Sequence, residues 1–391
     1  DDEVSGIRIH PGNGHEVYLV GAFKSSSITV ESTDPAGNVA LTNAAANKWD
    51  TYVTKYLPDG RVVWSKRLFW GSDNDRLQDI DFKGNQMVII GNFKSNPLNY
   101  DDGGGGGTLA RGGAKDLFIA RYDTSGAFQV IKKYIPTVQQ SAFRKVLPCI
   151  YGGYYVTGDL LGDLQDGVGS LLKSTTSGDA TFSDVFAMLV DDNLDFLWGR
   201  TGGGAGYDHV NYSTVSKYGN LYISGKTESS PSLFDSLETE QSAPLPALGG
   251  TDFYIAKYSS AGTLQWVRRK GTASEDNAYG LAIFQELVQF AGIFGAPLVI
   301  NQDTLDCSIP GDVNTGFAIL DRAGNEVGGE AICGDGRDEG LGVAYDPDGN
   351  TYVIGMSNSS TLQAGDIDLN NPVPGTYMGF LAHYEYAFSV S

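Results

Sequence analysis

The chain has 391 residues, 52 of them Gly, with 41% hydrophobic and 11% aromatic content, a mixture that excludes disorder and calls for many strands and tight turns. Its 27 basic against 47 acidic residues leave a formal net charge of −20, which repels phosphate backbones and anionic lipid surfaces and so excludes nucleic acid as a partner. No apolar run reaches the roughly 20 residues that span a bilayer, so no membrane insertion is expected, and the opening "DDEVSGIRIH", without Met or a signal-like segment, reads as a mature, processed chain.

In chain order the first element is a short strand, "GIRI", then a "PGNG" turn and a longer strand, "EVYLVGAF", that closes on Gly21. The same closing glycine returns in "VIIGNF" (Gly91), "YVTGDL" (Gly158), "YISGKT" (Gly225), "QFAGIF" (Gly292) and "YVIGMS" (Gly355), at gaps of 70, 67, 67, 67 and 63 residues. A fixed period of this size marks a repeat architecture. After each glycine comes an insert of roughly 25 residues and then a hairpin, first as "DTYVTKYLPDGRVVW", later as "DLFIARYDTSGAF" and "DFYIAKYSSAGTLQW". Its apolar positions are Tyr52 and Tyr56, Phe118 and Tyr122, Phe186 and Val190, Tyr254 and Tyr258, Phe317 and Leu320, and Phe380 and Tyr384, with Trp64, Trp198 and Trp266 at matching places on the last strand. Four strands per unit and six units, with almost no helical periodicity, predict an all-β, six-bladed β-propeller of four-stranded antiparallel blades. One domain over 1–391 is expected, with blades at about 2–70, 75–135, 141–200, 208–270, 276–333 and 338–391.

The run "DFYIAKYSSAGTLQWVRRKG", an acid, then "GLAIFQELVQFAGIF" resembles the SBBP-type β-propeller repeat. The resemblance extends over the whole chain and is strongest at residues 50–134 and 252–294. It departs from that family in having six units where seven are usual, and "VFAMLVDDN" and "GFAILDRAG" lose parts of the pattern. The resemblance implies a secreted or surface-attached propeller, in a family mostly without assigned activity.

An acid stands just ahead of each first strand: Asp2, Asp75, Asp208, Asp276 and Asp338, with Ser141 in the remaining place. In a propeller these would ring one mouth of the channel, where carboxylates suit calcium; an Asp in a Gly-rich turn equally bonds neighbouring backbone amides. His209 follows Asp208 and is the histidine to watch at that mouth. A second calcium candidate is Asp366, Asp368 and Asn370 in "GDIDLNN", whose spacing copies the opening of a calcium loop without its Gly and closing Glu. Asp101 and Asp102 before "GGGGG" read as a solvated loop. Cys307 and Cys333 lie within reach of a disulfide once the unit folds, leaving Cys149 over; three inert buried thiols fit equally. Asn358 and Asn211 are glycosylation sequons, the first at the start of an insert, the second within a first strand.

No catalytic residue is assigned, since the four histidines stand in no metal or nucleophile motif. The inserts vary while the framework repeats, and variable loops on a rigid scaffold are where recognition sits; outer hairpins covering blade edges would look the same. The reading is a non-catalytic extracellular or cell-surface module presenting inserts to a protein or glycan in a larger assembly. Its alternatives are a carbohydrate-active enzyme with carboxylates at the channel mouth and a calcium-dependent lectin.

Overall fold

Period-two alternation makes each repeat a meander of antiparallel strands, and the computed structural model describes these through residues 1–12, 14–175, 181–235, 244–295, 298–300, 303–305, 307 and 313–385. Among the described residues the chain is all-β, with a single 3-10 turn at Pro35–Gly37 as its helical element. Residues 1–201 form one compact unit and residues 202–391 another.

The first unit holds three sheets. Sheet 1 runs Asp2–Ile9, Val17–Phe23, Asp50–Tyr56 and Val62–Lys66. Sheet 2 runs Asp75–Lys83, Gln86–Phe93, Asp116–Asp123 and Phe128–Pro136, and sheet 3 Ala142–Pro148, Tyr154–Leu160, Asp184–Val190 and Phe196–Gly203. In the second unit, sheet 4 runs Asp208–Val215, Leu221–Thr227, Asp252–Tyr258 and Leu264–Lys270. Sheet 5 follows with Asn277–Phe284, Leu287–Phe294, Asn314–Leu320 and Glu326–Gly334. Sheet 6 has three strands among the described residues, Asp338–Tyr345, Thr351–Ser357 and Met378–Tyr384, where the sequence predicts four. The rest of that blade, to 391, lies outside the described residues.

The periodic glycine is a packing requirement. A Cβ on Gly91 would lie 2.5 Å from the Arg76 carbonyl oxygen and 2.6 Å from the Phe118 ring, and one on Gly158 would lie 2.1 Å from Ala142 O and 2.7 Å from Phe186. A bulge in the first strand, between Leu77 and Asp79 in sheet 2, accompanies that closeness, and the same shift recurs in every sheet. The third-strand aromatic then lies across the glycine opposite it: Tyr52 on Gly21, Phe118 on Gly91, Phe186 on Gly158, Tyr254 on Gly225 and Phe380 on Gly355. Sheet 5 departs from the expected pattern, because Gly316 stands opposite Gly292 and Phe317 is moved one place, onto the other face. The Phe294 ring takes the vacated space, 3.1 Å from where a Gly316 Cβ would be.

Both faces of sheet 2 and of sheet 5 are apolar and covered. In the first unit Val20 and Val53 of sheet 1 pack with Ile80 and Ile89 of sheet 2, and Ile90 and Ile119 of sheet 2 with Val146 and Val156 of sheet 3. In the second, Ile255 of sheet 4 packs with Leu281 and Phe290 of sheet 5, and Phe317 with Val353 and Ala382 of sheet 6. Full burial of each such side chain is worth about 1.5–3 kcal/mol. The fourth strands add a polar clasp at these contacts: Trp64 Nε1 donates to Thr124 O at 3.3 Å and Trp266 Nε1 to Arg322 O at 3.1 Å, each reaching the hairpin turn of the next sheet. The hairpin turns place Gly60, Gly126, Gly262 and Gly324 at φ of 80° to 84°. Sheet 3 has buried Leu194 there at φ 64°, a conformation glycine adopts without cost.

The inserts extend sheet edges. The hairpin of Leu98–Tyr100 and Gly107–Leu109 pairs with Phe69–Trp70 beyond sheet 1. Asp163–Gln165 pairs with the fourth strand of sheet 2, and Thr361–Ala364 with that of sheet 5. These three inserts cover an outer edge on the side of the preceding sheet, which removes an open row of backbone donors and acceptors, whereas Ser27–Val30 with Val39–Thr42 and Leu298–Ile300 with Asp303–Leu305 form two-stranded hairpins of their own.

Candidate functional site

The repeated acids stand at the start of the first strand in five of the six sheets. Asp75 begins the first strand of sheet 2, and its carboxylate accepts from Lys94 N at 3.1 Å, Ser95 N at 3.2 Å and Ser95 Oγ at 2.6 Å, all at the start of the insert. Asp208 accepts from Ser229 Oγ at 2.6 Å and Gly204 N at 3.2 Å. Asp276 accepts from Thr272 N at 2.6 Å and Gly295 N at 2.9 Å, and Asp338 from Ser357 Oγ at 2.6 Å and Ser359 Oγ at 2.7 Å. These four are buried. Asp2 makes the same bonds in the open, to Lys24 N at 3.0 Å and Ser25 Oγ at 2.8 Å. In sheet 3 the neutral Ser141 takes the place, accepting from Leu161 N at 2.9 Å and donating to Leu161 O. One geometry served by a carboxylate or a hydroxyl ties the first strand to the insert about 20 residues later.

A second set, which the sequence reading did not single out, opens the third strands: Asp50, Asp116, Asp184 and Asp252, with Asn314 in sheet 5, all buried. The signal was present, since "DTYV", "DLFI", "DVFA" and "DFYI" all begin with the acid. Asp50 accepts from Ala44 N at 2.6 Å and pairs with Arg67 at 3.1 Å; Asp252 accepts from Leu248 N at 2.8 Å and from Arg269 Nε at 2.7 Å. Asp116 accepts from Gly112 N and Gly113 N, and Asp184 from Thr175 N and Oγ1.

The two sets meet. Asp75 N donates to Trp49 O at 2.9 Å, and Asp276 N to Thr251 O at 3.0 Å, so the start of one sheet's third strand lies beside the start of the next sheet's first. A Cβ on Gly271 would fall 2.2 Å from Asp252 Oδ1 and 3.0 Å from Asp276 Oδ2, which puts that glycine between the paired acids. Burial pushes Asp75 up to about 7, against the lowering effect of its Ser95 donors and with added repulsion from Asp50. Burial likewise carries Asp276 up to about 6, with Asp252 adding to it, and also raises Asp50 and Asp338. A raised pair of carboxyls, as in Asp50 and Asp75, is the raw material of acid–base chemistry, but here both are buried and each accepts from a backbone amide, Ala44 N on Asp50 and Lys94 N and Ser95 N on Asp75. A cavity of about 310 Å³ in the second unit lies elsewhere, lined by Tyr212, Leu281, Leu341, Val343, Tyr352 and Ile354 among others, and its lining contains no carboxylate.

The remaining sequence candidates lie apart from these paired acids. His209, half-buried on the first strand of sheet 4, has its ring parallel to Tyr207 at 6.4 Å. Asp366, Asp368 and Asn370 lie on a hairpin whose second strand, Ile367–Asn370, is extended, and Asn370 Oδ1 accepts from Thr361 Oγ1. Among the described residues no group of three or more His, Cys, Asp or Glu is assembled for a metal. Asp101 and Asp102 cap Gly103 N, Gly104 N and Gly106 N in an exposed turn. Cys307 and Cys333 are joined in a disulfide with Cα atoms 5.5 Å apart, and Cys149 is a buried free thiol. Asn211 donates to Asn277 Oδ1 and Ala278 O from within its strand, while Asn358, at the start of an insert, accepts from Arg337 N at 2.7 Å.

No protein-family model matches the chain, and no curated protein matches it. Solved structures that superpose on it include the Pan2 WD40 domain of Neurospora crassa, at 9% identity and a TM-score of 0.43, covering 90% of this chain and 75% of that one. Sqt1 of Chaetomium thermophilum superposes at 11% identity and a TM-score of 0.39, covering 98% of this chain and 88% of that one. Scores of this size leave the architecture to be argued from the chain's own sheets.

Proposed function

We propose that the chain is a six-bladed β-propeller acting as a non-catalytic structural or binding module outside the cytoplasm, presenting its inserts to a protein or glycan partner in a larger assembly. The observation that carries the reading is the replacement of the repeated acid by Ser141, which ties the first strand to the insert backbone at the same place without a charge. A position that tolerates loss of its carboxylate serves the frame rather than proton transfer or calcium binding. Successive four-stranded meanders packed face to face within each unit support the propeller, because radial stacking is the arrangement that leaves only short edges. The Cys307–Cys333 disulfide supports an oxidising compartment.

The test is cross-linking of the native material in its source, read by mass spectrometry, with a printed glycan array probed in parallel. Links from the insert lysines Lys24, Lys48, Lys94 or Lys173 to a second protein, or glycan binding lost on shortening an insert, are the expected results. Native material with neither, or with glycan turnover abolished by Asp75→Ser, overturns the reading.

A further inference from the structure

The insert of sheet 2, residues 94–115, differs from others in charge. It holds Lys94, Arg111 and Lys115, whereas residues 295–313 and 358–377, in the inserts of sheets 5 and 6, contain no Lys or Arg. Its own acids, Asp101 and Asp102, lie at the tip of the hairpin and cap glycine amides there. The cations stand at its base. Phe93 and Asp116 face each other across the second and third strands of sheet 2, and Lys94 and Lys115 are the next residues out from that pair. Arg111 Nη1 donates to Lys94 O, Lys115 Nζ to Ser141 O at 2.8 Å, and Lys133 Nζ, from the fourth strand, to Ala110 O at 2.7 Å.

Backbone carbonyls orient Arg111, Lys115 and Lys133 without neutralising them. Among the described residues neither these three nor Lys94 is paired with a carboxylate, unlike Lys48, Lys83, Lys132 and Arg144 of the same unit. Asp116, the acid closest in sequence, is buried and turned onto Gly112 N and Gly113 N. Burial pulls Lys115 down to about 8, and the Lys94 and Arg144 charges add to the effect, as positive charge gathered without a counterion does. The place is also the one where Ser141 stands instead of the repeated acid. Every residue named lies in residues 1–201, on or beside sheets 2 and 3, which pack on one another there. Beyond the base, Thr108, Asn99 and Trp70 stand opposite one another across the three strands of the insert sheet. Thr108 is exposed and Trp70 half-buried, with the Arg67 guanidinium 4.9 Å over the indole. A ring with a few placed polar groups suits a sugar, and Arg111, with Nε and Nη2 free of the Lys94 carbonyl, suits an oxyanion.

We propose that the base of this insert binds an acidic glycan through an isolated sugar carboxylate, of the uronate or sialate kind, held by Lys94, Arg111 and Lys115. This rests on the preceding reading of the inserts as the binding elements and names the class of partner for one of them. A densely charged polyanion is a poor ligand, because the chain as a whole carries −20 and repels it. A single carboxylate on an otherwise neutral sugar chain meets the local cations without that penalty.

The test is calorimetric titration of the full chain with trisaccharides ending in a glucuronate or a sialate, each beside its carboxyl-reduced twin. One acidic trisaccharide is expected to bind about tenfold tighter than its twin, and added salt to narrow the gap. Lys94→Gln with Arg111→Gln should remove that advantage, while Lys24→Gln with Lys173→Gln, an equal loss of charge on two other inserts, should keep it within about twofold. Circular dichroism and a urea midpoint check that each variant folds; Lys94→Gln alone, whose ammonium holds nothing in the fold, is the milder second variant and should lose about threefold. Equal affinity for acid and twin, binding of none of them, or an equal loss in the Lys24 and Lys173 variant overturns the proposal. So does tighter, Lys94-dependent binding of a peptide with one Glu, which would make the partner a protein. A neutral glycan or a protein bound through an insert keeps the preceding reading and overturns this one alone.

Discussion

Sheet 2 and sheet 6 have the same repeat and the same cross-strand aliphatic pair, yet Ile90 and Ile119 are buried while Ile354, on the lining of the 310 Å³ cavity, and Leu381 are 52% and 62% exposed. The difference teaches that the repeat specifies which side chains point to a face, whereas the neighbour decides what that face is worth. The largest effect is therefore expected where the same truncation is made in both settings. Ile119→Ala should cost about 2–5 kcal/mol, the range for emptying a packed core position, and Leu381→Ala under about 1 kcal/mol in dilute chain. Urea unfolding reads both, and equal costs would mean the outward face is covered in solution.

Next is the Cys307–Cys333 disulfide, which ties an insert to the fourth strand of sheet 5, the sheet on which sheet 6 packs. Replacing both by Ser should cost about 3 kcal/mol for a loop of this length. Hydrogen exchange should place the loosening in residues 202–391 and leave the first unit protected.

The same contrast exists among the repeated acids, since Asp75 makes its bonds buried and Asp2 makes them exposed. Asp75→Ala is expected to cost about 2 kcal/mol, leaving Ser95 N without its acceptor while Lys94 N keeps Asn74 O, and Asp2→Ala under about 0.5 kcal/mol. The pH dependence has a definite sign. Folded Asp75 keeps its proton up to about pH 7, whereas the unfolded carboxyl releases it near 3.8. Between those values the folded chain binds more protons, so stability falls as pH rises through the window, and Asp276 contributes in the same direction up to about 6. The urea midpoint should be higher at pH 5 than at pH 8, and Asp75→Ser, copying Ser141, should flatten that slope. The smallest effect is at the clasp: Trp64→Phe keeps the ring but removes the donor to Thr124 O, for about 1 kcal/mol.

Much of this frame was legible in the sequence, for reasons that can be named. Gly91 and Phe118 recur together because the ring fits only over a residue without a Cβ, and the "PDGR" and "TSGA" turns recur because Gly60 and Gly126 have positive φ. The bulge between Leu77 and Asp79 was not legible, since an inserted residue breaks alternation as a misread strand end would. The third-strand acids were visible as letters but not as partners of the next sheet, because Asp252 and Asp276 meet only through folding. Phe317 shows the limit of alignment by eye: it looks like Phe118 in the repeat and lies on the other face. Sequence alone gives no account of Ile354, because its exposure depends on a neighbour and not on its own strand.

The insert hairpins set an order of events for the growing polypeptide. The edge of sheet 2 at Ile135 and Pro136 is closed by Leu164 and Gln165, which emerge from the ribosome only after the first two strands of sheet 3 have been made. Sheets 2 and 5 thus keep a sticky border until their successor is under construction, and synthesis itself protects that border by presenting its cover next. Repeat and insert lengths are coupled through this timing, so exchanging inserts between repeats should slow maturation and raise aggregation even where the finished sheets are equally stable.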